Sequence, residues 1–356
     1  MNVAFCKFAG LGSGGIEKYL QSFAKIVKDE GHNVDYFYTN AAPLRNTDWV
    51  HPPNDKLRQK IVEDWGIKTV PIDVGYRIHN TWYETNFFNV FDESKYDLLV
   101  TGGNGEPEFP YTELKNIKTG HTVHGEHVFN QDNICKSILI CNWQAQRWLK
   151  NGGDKTKLQI IPPIVPEIKD HPNDFRKKYN IPDDAFVFGM HQRNDPNIFH
   201  PVSLLAFNQI PLDNNYMVIM GGSEQYREVA LQFSKEKQEK IIFLDFCSDA
   251  LEIHNFLDTI DVYAHSRRDG EVCSAAIIEA LSHAKPVVSC PGQNNGHKEQ
   301  INDCGIFCNS MEEYVQALTQ LACNKELYDW HELKTRAKYI NEYSFESVKE
   351  KILKIL

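Results

Sequence analysis

Residues 264–290 read AHSRRDGEVCSAAIIEALSHAKPVVSC, and this stretch decides the fold. Its pattern predicts a strand at residues 260–265, a charged loop, a helix and a second strand at residues 286–290. Apolar residues occupy almost every side of the predicted helix, which is typical of a buried helix, yet Glu279 lies in its middle. Because a buried carboxylate is costly without a partner, we expect Glu279 to face either an internal Arg or Lys or a ligand that donates hydrogen bonds.

The order strand, loop, helix, strand favours a ligand, rather than an internal Arg or Lys, as the partner of Glu279. A helix that follows a strand presents free N–H groups, which bind anions. In open parallel sheets, ligands bind outside the carboxyl ends of the strands. A nucleotide would place a phosphate at the helix N-terminus and ribose hydroxyls at the acid further along the helix.

Seven residues separate Glu271 from Glu279, and Ala280-Leu281 and Lys285-Pro286-Val287-Val288 follow. This pattern resembles the E-x7-E signature of the retaining glycosyltransferases of family four, which have the two-domain GT-B fold. The resemblance implies an α/β fold in which two Rossmann-like domains face each other across a cleft.

Composition excludes several other classes of protein. A chain of 356 residues suggests about two domains, and the net charge of −10 gives no basic footprint for nucleic acid. No apolar run approaches the ~20 residues of a membrane helix, so we expect a cytoplasmic protein. Nine scattered cysteines, an odd number, fit a reducing compartment.

A glycine-rich turn at residues 10–15 follows the first predicted strand and precedes a helix predicted at residues 16–28. Such a loop leaves N–H groups free for a phosphate, although a tight structural turn explains the glycines equally well. Family four carries a similar Gly-Gly-x-Glu, matched here by Gly14, Gly15 and Glu17. The resemblance therefore implies that Gly14 and Gly15 contact the donor.

An aromatic-rich segment, NTWYETNFFNVF, occupies residues 80–91. One interpretation is a wall for a sugar acceptor, since aromatic faces stack on sugars. We favour a helix that buries Trp82, Phe87, Phe88 and Phe91 in the core.

Three histidines occur in HTVHGEH, residues 121–127. A zinc site is a minor alternative, because no Cys or Asp at ligand spacing accompanies them. The segment 118–123 predicts a strand with His124 at its carboxyl end. The resemblance implies that His124 contacts the donor sugar, whereas His121 and His127 are expected to be structural.

The sequence PPIVP at residues 162–166 predicts a stiff hinge. It divides the chain into residues 1–165, expected on the acceptor side, and residues 166–342, expected to bind the nucleotide-sugar. We expect the last helix, within residues 343–356, to return to the first domain, as in many GT-B proteins.

Arg193 follows a strand predicted at residues 186–190 and is the best candidate for the diphosphate, because a guanidinium matches phosphate geometry. An ion pair with Asp195 is the alternative. The family places a lysine about two turns later, but Asn197, Ile198 and Phe199 stand there. Arg267, Arg268 or Lys298 are candidates to replace it.

The resemblance implies a metal-independent transfer of a sugar, with retention of configuration, from a nucleotide-sugar (a UDP- or GDP-sugar) to a glycan, lipid-linked or small-molecule acceptor. A lipid-linked acceptor would need only a shallow contact with a membrane. The chain contains no Asp-x-Asp, the metal-binding motif of the other major glycosyltransferase fold. The catalytic residues implied are His124, Arg193 and Glu271. Donor contacts are expected at Gly14, Gly15, Gly221, Phe246, Cys247, Val272, Cys273, Ser274 and Glu279.

Two departures from the family pattern leave alternatives open. The lysine is missing, and Val272-Cys273-Ser274 replaces the usual Gly-Phe-Gly after the first glutamate. A catalytically weak nucleotide-sugar-binding partner subunit is therefore the main alternative. Another GT-B enzyme, such as a sugar-nucleotide epimerase, is the other.

Overall fold

The computed structural model describes residues 1–12, 14–39, 56–103, 105–165 and 173–356. The chain divides into two compact units, Met1–Ile164 with Val348–Leu356, and Val165–Ser347. Pro166 of the predicted hinge lies outside the described residues. No helix in the described part of the chain is long and apolar enough to cross a membrane.

The first unit alternates strands and helices. Its elements, in chain order, are β1 (Asn2–Lys7), α1 (Gly15–Asp29), β2 (Asn33–Thr39), α2 (Lys56–Asp64), β3 (Lys68–Ile72), β4 (Val74–Ile78), β5 (Thr81–Thr85), α3 (Phe87–Val90), β6 (Leu98–Gly103), β7 (Lys118–Val123), β8 (Ile134–Leu139), α4 (Asn142–Lys150) and β9 (Leu158–Ile160).

Seven of these strands form a parallel sheet in the order β3-β2-β1-β6-β7-β8-β9. The central strands are buried along nearly their whole length, as expected of parallel strands covered on both faces. The order reverses between β1 and β6, so the segments after these two strands diverge and leave a crevice at the carboxyl edge. The glycine-rich turn follows β1 at this edge.

The helix predicted at residues 80–91 is wrong. Strands β4 and β5 form an antiparallel hairpin, and only Phe87–Val90 is helical. Trp82, Phe87 and Phe91 are buried as expected, but Phe88 is 50% exposed. Trp82 faces the core while its neighbour Tyr83 is exposed, so this part of the segment follows the two-residue period of a strand.

The second unit repeats the same architecture. Its elements are α5 (Phe175–Lys178), β10 (Phe186–Gln192), α6 (Val202–Gln209), β11 (Asn215–Gly221), α7 (Gln225–Ala230), α8 (Lys235–Gln238), β12 (Ile241–Leu244), α9 (Ala250–Thr259), β13 (Val262–Ala264), β14 (Gly270–Glu271), α10 (Ala275–Ser282), β15 (Val287–Ser289), β16 (Asn294–Asn295), α11 (His297–Ile301), β17 (Ile306–Phe307), α12 (Met311–Cys323) and α13 (Lys325–Lys338).

Six strands of this unit form a parallel sheet in the order β12-β11-β10-β13-β15-β17. The chain builds one side of the sheet from β10 to β12 and then returns to lay β13 beside β10. The order therefore reverses between β10 and β13. The fold is α/β, with two Rossmann-like halves, as the sequence predicted.

A π-helical turn, Tyr339–Tyr343, follows α13, and the last helix is α14 (Phe345–Leu353). From Val348 onward the chain belongs to the first unit. Val348 and Ile352 are fully buried, and Lys349 forms an ion pair with Glu30 of the first unit.

Candidate functional site

The reversal of strand order in the second unit marks its ligand-binding edge. Ligands of open α/β sheets bind outside the carboxyl ends of the strands at such a point. His191, Gln192 and Arg193 lie where β10 ends, and residues 265–271 follow β13. Both segments carry charged or imidazole side chains, which sets this edge apart from the apolar sheet behind it.

Glu279 pairs with a histidine. Nε2 of His191 donates to Oε2 of Glu279 at 2.7 Å, and the glutamate side chain is 29% exposed. Its Oε1 has no hydrogen-bond partner among the described residues. Neither internal partner expected from the sequence, Arg or Lys, is present; the pairing with an imidazole leaves one carboxylate oxygen open to a ligand.

Glu271 is held by an arginine. Nη1 of Arg267 lies 2.6 Å from Oε1 of Glu271, and the same guanidinium binds Asp269 at 2.6 Å. Ser274 Oγ donates to Glu271 at 3.3 Å. Burial raises the pKa of Glu271 above the ordinary value of a glutamate, while the nearby Arg267 acts to lower it. Arg267 thus already pairs with two carboxylates, so it is a poor candidate to bind a phosphate in place of the missing lysine.

The loop that carries Glu271 is packed against a second loop. Strands β14 and β16 pair Gly270 with Asn294 and Glu271 with Asn295. Gly270 has a φ of +62°, and a Cβ on Gly296 would overlap the Val272 carbonyl. His297 is fully buried, and its Nε2 donates to the carbonyl of Cys290 at 3.1 Å. These contacts fix the main chain on both sides of Glu271 although Val272-Cys273-Ser274 lacks the family's glycines.

Arg193 is 62% exposed and lies 3.3 Å from Asp195, so the predicted alternative ion pair is present. The exposed guanidinium is nevertheless accessible to a phosphate. Arg268, also exposed, donates its main-chain N–H to the Ile198 carbonyl at 3.1 Å. Ile198 is one of the residues that occupy the place of the family's lysine, so the main chain of Arg268 lies beside that place. Lys298 instead lies over the Phe307 ring.

Other residues expected at the donor lie on the same edge. Gly221 ends β11 with a φ of +73°, and a Cβ there would overlap the Gln192 carbonyl. Phe246 is 51% exposed, and the Cys247 sulfur accepts from the N–H of Asp249 ahead of α9. Ser274 caps α10, its Oγ accepting from Ile277 N–H, and Gln300 accepts from its main-chain N–H at 2.6 Å.

In the first unit, a partly buried ion pair lies beside the glycine-rich turn. Lys7 Nζ lies 2.6 Å from Glu17 Oε1. A Cβ on Gly14 would overlap the Glu17 carboxylate, whereas a Cβ on Gly15 would meet nothing within 4 Å. The close approach of Glu17 therefore explains why position 14 is a glycine. Gly15, the first residue of α1, has open space beside it.

The three histidines at residues 121–127 do not form a metal-ligand group. His121 bonds to Thr101 Oγ1 at 2.8 Å, and the exposed His127 lies 3.1 Å from Glu106. His124 Nε2 is buried and makes no hydrogen bond within the described residues. Burial, helped by Lys7 and His121, lowers the pKa of His124 to about 3, so its imidazole is neutral.

Sequence reasoning missed His191. It stands two residues before Arg193 at the end of the same strand, which was the one available signal. Its partner Glu279 lies 88 residues further along the chain. Strand β10 pairs with β13, and α10 follows β13 in the chain, so the strand pairing brings Glu279 to the same edge as His191.

Comparisons with known proteins identify the fold and the second unit. Residues 172–341 match the family model "Glycosyl transferases group 1". No curated protein matches the sequence. Solved structures that are similar include a glycosyltransferase from Rickettsia africae ESF-5, 18% identical with a TM-score of 0.72, over 99% of this chain and 97% of that chain. HepE of Anabaena in complex with UDP is 16% identical with a TM-score of 0.75, over 100% and 99% of the two chains.

WaaG, a glycosyltransferase involved in lipopolysaccharide biosynthesis, is 16% identical with a TM-score of 0.64, over 99% of each chain. Identities this low show a common fold, and the family match adds the class of the second unit. The expected GT-B fold is thereby confirmed, and residues 172–341 match the model of the group 1 glycosyltransferases, as the resemblance to family four implied.

Proposed function

We propose that the protein transfers a sugar from a nucleotide-sugar to an acceptor hydroxyl, with retention of anomeric configuration and without a catalytic metal. The observation that carries this proposal is the His191–Glu279 pair at the strand-order reversal of the second unit. It leaves one oxygen of a carboxylate open at the edge where open α/β sheets bind nucleotides. Glu279 would accept hydrogen bonds from the ribose hydroxyls there.

Negative charge develops on the leaving diphosphate during transfer, so preorganised cations and dipoles lower the barrier. Arg193 and Arg268 are exposed at the same edge and would bind the two phosphates. The N-terminus of α10, near Val272, Cys273 and Ser274, adds its dipole.

The remaining donor contacts follow from the resemblance. Glu271 would hold hydroxyls of the transferred sugar, and His124, neutral with an unpartnered Nε2, would contact the same sugar. We assign Gly14 and Gly15 to the diphosphate and the loop with Gly221, Phe246 and Cys247 to the base. HepE is solved with UDP, which favours uridine over guanosine.

This assignment makes residues 166–342 the donor-binding domain and residues 1–165, with the terminal helix, the acceptor domain. The acceptor is a glycan, a lipid-linked sugar or a small molecule. A cytoplasmic role in glycan synthesis fits this chemistry. The alternatives are a partner subunit that binds the donor without turning it over and a sugar-nucleotide epimerase.

The test is thermal unfolding against UDP-, GDP- and ADP-sugars for the wild type, Glu279→Gln and Glu236→Gln. A ligand that binds the native state raises the midpoint by mass action. We expect a UDP-sugar to raise the midpoint of the wild type and of Glu236→Gln, whose side chain is 75% exposed on α8, but not that of Glu279→Gln. No shift with any nucleotide at millimolar concentration would refute the donor site.

Donor turnover separates the alternatives. An active transferase hydrolyses the donor slowly in the absence of an acceptor. Binding without hydrolysis would support the partner subunit, and release of an epimerised sugar would support the epimerase.

A further inference from the structure

His254, Asp258 and His283 form a cluster outside the donor site. Among the described residues, it is the one group of three His, Cys, Asp or Glu side chains whose ligand atoms lie within 4.8 Å of one another. His254 and Asp258 are four residues apart on α9, so they share one face of that helix. His283 ends α10 one turn after Glu279.

The three side chains form a closed ring of contacts. His254 Nδ1 lies 2.8 Å from His283 Nε2, and His283 Nδ1 lies 2.7 Å from Asp258 Oδ1. The ring closes at 3.5 Å between His254 Nε2 and Asp258 Oδ2. Both imidazoles are 9% exposed, whereas the carboxylate is 41% exposed.

If both imidazoles are neutral, their two N–H groups satisfy the two shorter contacts of the ring. The 3.5 Å contact between His254 and Asp258 is then left without a proton. A protonated imidazole or a bound cation supplies the missing positive charge. Lys285 lies beside the cluster, and its Nζ donates to the main-chain carbonyl of Asp258 at 3.3 Å rather than to the side chains of the ring.

We propose that His254, Asp258 and His283 bind a divalent cation of the zinc class. Neutral imidazole and carboxylate are ligands that Zn²⁺ and Co²⁺ accept, and three protein ligands leave one position for water. Zinc bonds of about 2.0–2.2 Å place neighbouring ligand atoms of a tetrahedral site about 3.3 Å apart. With one ligand atom taken from each residue, the three atoms lie within 4.8 Å of one another, so side-chain rotation must bring them to that spacing.

The bound cation joins α9 to the end of α10. Helix α9 follows the loop assigned to the base, and α10 carries Glu279. The cation therefore braces two helices behind the donor edge without touching the donor. Its role is structural, and it is compatible with a metal-independent transfer.

Titration with Co²⁺ tests the site, since a four-coordinate cobalt site absorbs in the visible. We expect one equivalent to bind the wild type and Zn²⁺ to displace it. Asp258→Asn and His254→Gln should each weaken binding roughly tenfold or more. If His254→Gln fails to fold, Asp258→Asn still decides the question, because the Asp258 side chain is partly exposed.

The matched control is His127→Gln, which removes an exposed histidine from another His–carboxylate pair. It should bind Co²⁺ as the wild type does, and so should Glu279→Gln, since neither residue belongs to the cluster. Absence of a saturable cobalt band in the wild type, or equal loss in His127→Gln, would overturn the proposal. Neither result depends on sugar transfer, so the test of the metal site is independent of the test of the proposed function.

Discussion

His191 Nε2 lies 2.7 Å from Oε2 of Glu279, and this hydrogen bond joins the end of β10 to the buried helix α10. The other ring nitrogen of His191, Nδ1, is buried and makes no hydrogen bond within the described residues. The imidazole therefore has one polar partner, the carboxylate. Under the proposed function, His191 is a positioning residue that would orient Glu279 toward the ribose.

Replacing His191 by Phe should keep the ring packing but remove the donor to Glu279. A hydrogen bond to a charged group contributes about 1.5–3 kcal/mol, so affinity for UDP should fall roughly tenfold to a hundredfold. Isothermal titration with UDP measures this change.

His331→Phe is the matched control for that substitution. His331 is also a buried histidine of the second unit, and its Nδ1 donates to the Cys304 carbonyl at 3.0 Å. Its loss should lower stability and leave UDP affinity unchanged. Equal affinities in His191→Phe and the wild type would show that Glu279 does not need this partner.

Arg268→Gln should raise the donor KM about tenfold with an unchanged unfolding midpoint. The Arg268 side chain is exposed, so its loss affects few packing contacts, while each phosphate contact by an arginine is charge-assisted. Steady-state donor hydrolysis measures the KM. Lys298→Gln, which removes an exposed cation near Phe307, serves as control. A larger rise of the donor KM in Lys298→Gln than in Arg268→Gln would indicate that Lys298, rather than Arg268, contacts the phosphate.

Gly296→Ala should reduce both stability and turnover. The glycine has ordinary helical angles, φ −65° and ψ −31°, so an alanine is not strained by its backbone. Its Cβ would nevertheless overlap the Val272 carbonyl and push the loop that carries Glu271. Overpacking of this kind costs about 1–3 kcal/mol.

Chemical denaturation and donor hydrolysis measure the two effects of Gly296→Ala. The control is Gly15→Ala, at the start of α1, where a Cβ meets nothing within 4 Å. Alanine there should leave stability equal or slightly higher, because glycine is a poor helix former. A fully stable, fully active Gly296→Ala variant would show that the loop tolerates displacement.

Local sequence patterns were sufficient for much of the fold. Strand β7 has the predicted bounds, and helix α1 begins and ends within one residue of the helix predicted at residues 16–28, because the apolar periodicity of both segments is strong. The hairpin of β4 and β5 was missed, since a dense aromatic run satisfied a helical pattern as well as a strand pattern.

The partners in the candidate site could not be read from the sequence. The glutamate spacing located Glu271 and Glu279, but not Arg267 and His191 as the side chains that hold them. The need for glycine at position 296 depends on a loop 24 residues earlier, at Val272. Such contacts arise only when the sheet brings distant segments together.

Acidification should destabilise the first unit through its buried histidines. Burial lowers the pKa of His121 to about 4 and that of His124 to about 3, against an ordinary value of 6.5. Above pH 6.5 both histidines are neutral in the folded and unfolded chain. As the pH falls below 6.5 the unfolded chain takes up protons first, so stability is lost progressively until the folded pKa values are reached.

Each histidine contributes a slope of up to about 1.4 kcal/mol per pH unit in that window. Unfolding by urea between pH 7.5 and pH 4.5 measures the slope. His121→Asn should be less stable than the wild type at pH 7.5, because it loses packing with Phe129. Its free energy of unfolding should nevertheless fall less steeply with decreasing pH, because nearly one proton fewer is taken up on unfolding. His127→Gln, which changes an exposed histidine, should keep the wild-type slope. An unchanged slope in His121→Asn would mean that His121 takes up its proton equally in the folded and unfolded chain.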